Sequence, residues 1–459
     1  MHTSSLNTQK RLILAGAVLL VFLVSANIAW LNPWPDKESF RGIDSVPFMW
    51  QYNKAAGVEI LSGAFFPGTF RTYTDRINRP TYPLAVNLLG RIIGFAVSPV
   101  VDLSPLERAG AGYVILKLLV FYLGAAATFR VLERWMDSGA ALFGTLLTLF
   151  HAHSMEYAAT FQTTELQVFT PVFIIWMALR IIDCEKSCRG EASTTSWRPA
   201  ALGLRHLLRI VLWSIVVGVL MLAKQNYAVY LAVLLFAAYK GRWLDAGVSV
   251  LAHLFPLLVY LLFLRVVHIP YINHEAADYG QGVWMLDLFR QNPILSLTQV
   301  LSSLWRMMVH LTGFFTVWLL VAAGALARRR EIGLQRDHLV FIGLLFFGTW
   351  LQLFAAARYY DYMVSDVAIL IFGLSGWVAY RWIGTPRVRS FILAIWFAGN
   401  VLSFVHFPYV PPYLQPARST EVLENRLEMV ENPDTYTDAE RAQSHGGVIL
   451  APINTEENE

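Results

Sequence analysis

Charged residues are scarce in this chain. Of its 459 residues, only 15% are charged, whereas 56% are hydrophobic, and the mean hydropathy is +0.47. A soluble domain carries roughly a quarter of its residues as charged types. The composition therefore excludes an ordinary water-soluble protein, because so much apolar sequence requires lipid around it.

Other features are missing as well. No basic segment is interleaved with aromatic residues in a polar stretch, which argues against nucleic acid as a partner. The two cysteines, Cys184 and Cys188, lie in one short polar loop. We place that loop in the cytoplasm, where thiols stay reduced, and two cysteines are too few for a metal or redox centre. There is no Walker loop, dinucleotide fingerprint or internal repeat.

Long apolar runs recur along the sequence, and they predict an all-α polytopic membrane protein with about eleven transmembrane helices. The first run follows Lys10 and Arg11, and Val24-Ser25-Ala26 resembles a signal-peptide cleavage site. Its length favours a retained helix, because a signal h-region is shorter. The predicted spans are 12–31, 112–129, 138–152, 166–182, 207–223, 227–239, 246–264, 308–327, 338–357, 363–380 and 389–407.

The placement of lysine and arginine predicts the orientation. With the N-terminus in the cytoplasm, the even-numbered connections carry most of the basic residues, as the positive-inside rule requires. Counting the apolar stretch 82–101 as a span would invert this pattern, so we predict that it is interfacial or re-entrant. The C-terminus is then extracytoplasmic, and we expect a multi-pass protein of the bacterial inner membrane.

Three long segments lie on the outer side in this topology. They are a first loop at 32–111, a middle loop at 265–307 and a polar C-terminal tail at 408–459, with the transmembrane domain covering 1–407. The tail begins with several prolines and then becomes acidic and polar, which is typical of irregular structure.

Charged motifs in the outer segments follow a characteristic order. Asp44 comes shortly after the first helix, and Asp75 precedes the sequence Arg79-Pro80-Thr81-Tyr82-Pro83-Leu84. Further along, three landmarks stand at predicted outer helix ends: Glu165, Lys224 and the pair Arg358-Tyr359. The order of these motifs along the chain, and their predicted position on one side of the membrane, resemble the GT-C superfamily of membrane glycosyltransferases, in particular its protein O-mannosyltransferase and aminoarabinose transferase branch. The resemblance covers most of residues 1–385.

The resemblance implies transfer of a sugar from a polyprenyl-phosphate carrier to a lipid, glycan or protein acceptor outside the cytoplasm. It implies Asp44 as the general base and Glu165 as a second acid. Lys224 and Arg358 would contact the phosphate, and Tyr359, Arg79 and Asp75 would bind the substrate or shape its site. No cofactor is implied. The sequence departs from the family pattern in two places. Asp44 is followed by Ser45, whereas many relatives have paired acids there. The relatives' Lys-Pro-Pro-Leu type of element is replaced by the sequence from Arg79 to Leu84.

Other interpretations remain open. The same charged residues could be a helix cap at Asp44 and snorkelling cations at Lys224 and Arg358. His151, His153 and Glu156 could bind a divalent metal if their segment is not a regular helix. A transporter or flippase would show half-chain symmetry or ionisable residues at mid-depth. An envelope-polymer ligase or polymerase would depend on the middle loop, which contains His268, His274 and Arg290.

Overall fold

The structure, a computed structural model, describes most of the apolar sequence as helix. It describes residues 8–31, 80–103, 105–151, 154–155, 172–176, 204–223, 227–266, 289–290, 292–332, 336–355 and 367–404. All the regular elements within these ranges are helical: α1 Thr8–Leu31, α2 Thr81–Val97, α3 Pro105–Leu132, α4 Ser138–Leu149, α5 Leu204–Met221, α6 Tyr227–Tyr239, α7 Trp243–Val266, α8 Pro293–Ala327, α9 Arg329–Ile332, α10 Arg336–Ala355, α11 Ala368–Trp382 and α12 Pro386–Phe404.

The helices are apolar enough to place the chain in a membrane. Among the described residues, 3 segments are both long and apolar enough to cross a bilayer: Thr8–Ser25, Val114–Leu132 and Trp243–Val266. Shorter apolar helices include Ser138–Leu149, Leu207–Met221 and Val229–Tyr239. The chain is therefore a helical protein with transmembrane segments, as its composition indicates. The count of about eleven spans stays a prediction, since only 172–176 of the predicted span 166–182 is described.

Two helices begin earlier than their apolar runs. α8 starts at Pro293, within the predicted middle loop, and α3 starts at Pro105 rather than at residue 112. The amide of Leu295 donates to Oδ1 of Asn292 over 3.0 Å, which caps the start of α8. Proline is favoured at the first helical position because its missing N–H would be unpaired there in any case. Hydropathy marks only the membrane-buried part of a helix and misses such polar beginnings.

Helix α2 covers most of the stretch that was predicted to be interfacial or re-entrant. One face is buried: the relative solvent exposure of Tyr82 is 3% and that of Val86 is 0%. Phe95, on another face, is 84% exposed. Arg91 is also exposed. Such a two-faced helix with an apolar exposed side suits a membrane interface. Its helical state is established, and its depth in the membrane stays a prediction.

The chain forms two compact units. Unit 1 comprises residues 1–14, 123–148 and 166–394, and unit 2 comprises 15–122, 149–165 and 395–459. In unit 1, α5 packs on α7, α6 packs on α10, and α8 packs on both α10 and α11. α4 crosses α11 at glycines: a Cβ added to Gly376 would lie 2.7 Å from Cα of Gly144. Small residues at such crossings allow close backbone approach in membranes.

Basic connections meet at one end of unit 1. Lys240 pairs with Asp337, and the next residue, His338, has its ring centroid 5.7 Å from that of Trp135. The guanidinium of Arg328 lies 5.4 Å from the ring centroid of Trp382. These contacts gather ends of helices whose connections were predicted to be cytoplasmic. The side of the membrane that this end faces stays a prediction.

Candidate functional site

The residues predicted from the family resemblance lie outside the described part of the chain. They are Asp44, Asp75, Arg79, Glu165, Lys224, Arg358 and Tyr359. The described helices end beside several of them in sequence. α2 begins at Thr81, two positions after Arg79, and a turn after α5 runs to Ala223, where the amide donates to Leu220 O over 3.0 Å. The assignment of these residues to one site stays a prediction.

Among the described residues, Lys117 is a buried cation within an apolar helix. It lies on α3 inside the candidate span Val114–Leu132 and its relative exposure is 3%. Phe121, one turn further along and equally exposed by 3%, lies on the same face of the helix. The roughly opposite face carries Ile115 and Leu119, exposed by 38% and 45%. Lys117 therefore points into the protein, and lipid-facing side chains occupy the other side.

The packing of α2 on α3 fixes the surroundings of this segment. A Cβ added to Gly112 would collide with the carbonyl oxygen of Val86 and lie 2.9 Å from the amide nitrogen of Gly90. Near the start of α3, Nε of Arg108 donates to the carbonyl oxygen of Leu103 over 2.8 Å. Glycine thus allows two backbones to touch about one and a half turns before Lys117. This contact holds α2 directly against the helix that carries the buried lysine.

The end of α4 contributes a second polar group in unit 2. His151 is 4% exposed and Ser154 is 1% exposed. The His151 ring stacks on Trp396, with centroids 6.1 Å apart and planes at 25°. The amide of Met155 donates to the His151 carbonyl over 3.2 Å. His151 is thus an interior residue that packs against α12.

Of the three residues of the possible metal site, His151, His153 and Glu156, the structure describes only His151. His153 and Glu156 lie outside the described ranges. Within those ranges, no three histidine, cysteine or acidic side chains stand close enough together to hold a metal ion. The question of a metal at 151–156 therefore stays open, and the buried aromatic contact of His151 already accounts for the position of its ring.

A third polar group joins three helices of unit 1. Oγ of Ser214 on α5 and Oγ of Ser249 on α7 are 2.8 Å apart. The hydroxyl of Tyr230 on α6 lies 3.1 Å from the same Ser249 oxygen. The Tyr230 ring lies 4.5 Å from that of His253, whose Nδ1 is 3.1 Å from the Val250 carbonyl. These side chains form a connected polar cluster, in which Ser249 and His253 lie about two and three turns after the start of α7 at Trp243.

The cluster corrects one expectation. An ionisable residue at mid-depth was taken as a mark of a transporter, and His253 is such a residue: it is 8% exposed and lies within α7. Its ring packs against Tyr230 of the neighbouring α6, and its Nδ1 interacts with the Val250 carbonyl of its own helix. The position of His253 alone therefore does not separate an enzyme from a transporter.

Lys117 was not among the residues predicted from the sequence. The signal was present, because a lysine inside an apolar run of this length is rare and commonly marks a functional site. Lys117 belongs neither to the family motifs nor to the charged loops. His151, in contrast, was identified from the sequence as a polar residue at a helix end.

No protein-family model matches the chain, and no curated protein matches it. Among solved structures, the chain is similar to the oligosaccharyltransferase of Archaeoglobus fulgidus tethered with an acceptor peptide containing the NVT sequon, at 13% identity and a TM-score of 0.48, over 99% of this chain and 60% of that one. The same enzyme in complex with Zn and sulfate is 15% identical, with a TM-score of 0.47, over 96% of this chain and 58% of that one. The archaeal oligosaccharyltransferase AglB from Archaeoglobus fulgidus, in complex with an inhibitory peptide and a dolichol-phosphate, is 14% identical, with a TM-score of 0.49, over 97% of this chain and 60% of that one. This chain thus spans 58% to 60% of the length of those proteins.

Proposed function

We propose that this chain is a membrane glycosyltransferase that moves a sugar from a polyprenyl-phosphate donor to an acceptor at the extracytoplasmic face. The observation that carries the proposal is the order of its charged motifs. Asp44, the Arg79–Leu84 element, Glu165, Lys224 and Arg358 all fall in segments that the distribution of basic residues assigns to one side. An unselected set of loop charges would be scattered over both sides.

The chemistry explains why such residues would be needed. The bond between the sugar's anomeric carbon and the phosphate oxygen breaks, and a bond forms between that carbon and an acceptor oxygen or nitrogen. The acceptor's proton passes to the carboxylate of Asp44, which acts as general base. The carrier leaves as polyprenyl phosphate, and fixed cations such as Lys224 and Arg358 stabilise its charge. Glu165 stabilises the oxocarbenium-like sugar in the transition state.

The described structure supports the part played by the first outer loop. The Arg79–Leu84 element runs directly into α2, which begins at Thr81. Tyr82 and Val86 anchor this helix in the protein, while Leu88 and Ile92, both 55% exposed, present an apolar surface. A helix anchored on one side and apolar on the other suits a loop that holds a lipid-linked substrate at the membrane interface.

The test is a transfer assay on the full-length chain in lipid nanodiscs. Polyprenyl-phosphate mannose and polyprenyl-phosphate aminoarabinose serve as probe donors, and release of polyprenyl phosphate is followed by mass spectrometry. A membrane extract supplies acceptors. We expect Asp44→Asn to remove most of the activity because the base is lost, and Asp36→Asn, a charge change in the same loop, to retain it. Equal activity of the two variants would refute the assignment of Asp44.

A transporter is the second candidate, since a buried ionisable residue within a transmembrane helix, such as His253, is compatible with either function. In that case the wild-type protein would move a lipid-linked sugar across a vesicle membrane without releasing polyprenyl phosphate. His253→Phe would abolish that movement, whereas Asp44→Asn would not. The two functions are therefore separated by the product and by the sensitive residue.

A further inference from the structure

We infer that an arginine cluster at the basic end of unit 1 binds the headgroup of an anionic phospholipid. The arginine cluster consists of Arg328, Arg329 and Arg330 at the end of α8 and the start of α9, and Arg381 in the last turn of α11. The chemistry that it recognises is a phosphodiester attached to acyl chains. The inference goes beyond the proposed function, because it concerns the end of unit 1 whose connections were predicted to be cytoplasmic and involves no sugar.

Aromatic rings hold two of these guanidinium groups at neighbouring helix ends. α8 packs on α11, and the Arg328 guanidinium lies 5.4 Å from the ring centroid of Trp382. The Arg381 guanidinium lies 6.0 Å from the ring centroid of Trp377. An arginine that lies on an aromatic face keeps the N–H groups at its edges available for a phosphate. These contacts therefore bring charges from two helices together and leave their donors usable.

The arginine cluster carries more positive charge than its neighbouring acids balance. All four of its residues are exposed. Glu331 adjoins them in sequence, so that four positive charges meet one negative charge in these two segments. Two other acids at this end, Asp245 and Asp337, pair with Arg242 and Lys240. The cluster thus presents a positive surface that an anion can neutralise.

The arginine cluster begins where an exposed apolar stripe ends. Leu320, Ala323 and Ala327 are exposed on one side of α8, at helical spacing, and Ala327 directly precedes Arg328. Trp382, which contacts Arg328, is 60% exposed. Tryptophan and arginine at the end of an apolar helix are typical of the headgroup level. A phospholipid can place its phosphate at the arginines and its acyl chains on the stripe, whereas a soluble anion would use the charge alone.

The experiment measures binding of a fluorescent phosphatidylglycerol to the full-length chain in micelles of a neutral detergent. The competitors are unlabelled phosphatidylglycerol, phosphatidylcholine, inorganic phosphate and a single-stranded oligonucleotide. Phosphatidylglycerol should compete better than phosphatidylcholine by about tenfold or more, since phosphatidylcholine carries no net charge. Arg328→Gln should weaken binding about fivefold, because one arginine near the anionic lipid is lost. Trp382→Leu, which removes the aromatic face and keeps an apolar side chain, should weaken it by a smaller factor.

The matched control is Arg265→Gln at the other end of α7. Arg265 is an exposed arginine of the same unit, and no second basic residue adjoins it in sequence. It follows Trp243, at the basic end, by 22 residues, which is ~33 Å along the helix axis. At that distance its charge is screened from the arginine cluster, so this variant should change binding by less than about twofold. Equal weakening by Arg265→Gln and Arg328→Gln would overturn the assignment to the arginine cluster.

The competitors decide which anion the surface binds. Equal competition by phosphatidylcholine or by inorganic phosphate would overturn the assignment to an anionic lipid, and stronger competition by the oligonucleotide would assign the surface to nucleic acid instead. Should Arg328→Gln not fold, the wild type is cross-linked with a phosphatidylglycerol that carries a diazirine on its headgroup. Label in residues 320–331 and 377–382 that exceeds the label from a matching phosphatidylcholine supports the inference, and equal label from the two probes refutes it.

Discussion

The hydroxyl oxygens of Ser214 and Ser249 lie 2.8 Å apart and connect α5 to α7 inside an apolar bundle. Ser249 also meets the Tyr230 hydroxyl at 3.1 Å, so a single side chain serves three helices. In a membrane, where water is not available to replace a lost partner, such links help to decide which helices stay together.

Removal of this shared serine should therefore cost more than removal of either partner. We expect Ser249→Ala to lower the free energy of unfolding by about 1 kcal/mol, since each interhelical hydrogen bond contributes ~0.6 kcal/mol on average. Ser214→Ala and Tyr230→Phe should each have about half that effect. The measurement is reversible unfolding in mixed micelles. A loss for Ser249→Ala no larger than for Ser214→Ala would contradict the shared role.

The glycine crossing of α4 and α11 makes a steric prediction. A methyl group at Gly376 would stand 2.7 Å from Cα of Gly144, and backbone cannot move aside as a flexible side chain can. Gly376→Ala should destabilise the protein by ~1–3 kcal/mol through overpacking. Gly343→Ala on α10, where nothing lies within 4 Å of the added carbon, is the matched control. It should be neutral, or stabilising by up to ~1 kcal/mol through helix propensity.

The ion pair between Lys240 and Asp337 should contribute little to stability. The two side chains are 34% and 36% exposed, and exposed pairs typically contribute ~0–1 kcal/mol. A double-mutant cycle with Lys240→Met and Asp337→Asn should give a coupling energy below ~1 kcal/mol that shrinks as salt is added. A coupling that exceeds this limit and persists in high salt would indicate a buried pair instead.

The orientation of the chain can be tested by labelling. In a background with Cys184→Ser and Cys188→Ser, single cysteines replace Arg330, Arg387 and Asp102 in turn. The positive-inside rule predicts that an impermeant maleimide reaches Asp102→Cys from outside intact cells, and reaches Arg330→Cys and Arg387→Cys only after lysis. Labelling of Arg330→Cys in intact cells would reverse the predicted topology, and with it the side of the proposed site.

Much of the helical layout follows from hydropathy alone. The helices α5, α6 and α11 lie on predicted spans because their interiors are almost free of charge. The beginning of α8 could not be found in this way, because it depends on the Asn292 side chain and on Pro293 in a polar stretch. A hydropathy scale does not take account of the hydrogen bond by which a capping side chain starts a helix.

The candidate site was harder to predict than the helices. Lys117 can be recognised in the sequence as an isolated charge, but only packing shows that it points inward and not towards lipid. The cluster of Ser214, Tyr230, Ser249 and His253 draws on three helices. No spacing within one helix reveals such a partnership, because its geometry arises from the way in which the helices pack.

The exposed surface of α7 and the crossing at Gly376 place different steric demands on their side chains. Only 17% of the α7 span is buried within the protein, and side chains such as Leu251 and Leu262, 72% and 63% exposed, face acyl chains that accept any apolar shape. At the crossing, even one methyl group forces two helices apart. The exposed face of α7 can therefore accept leucine, isoleucine, valine or phenylalanine in exchange for one another, whereas Gly144 and Gly376 leave little room for any side chain.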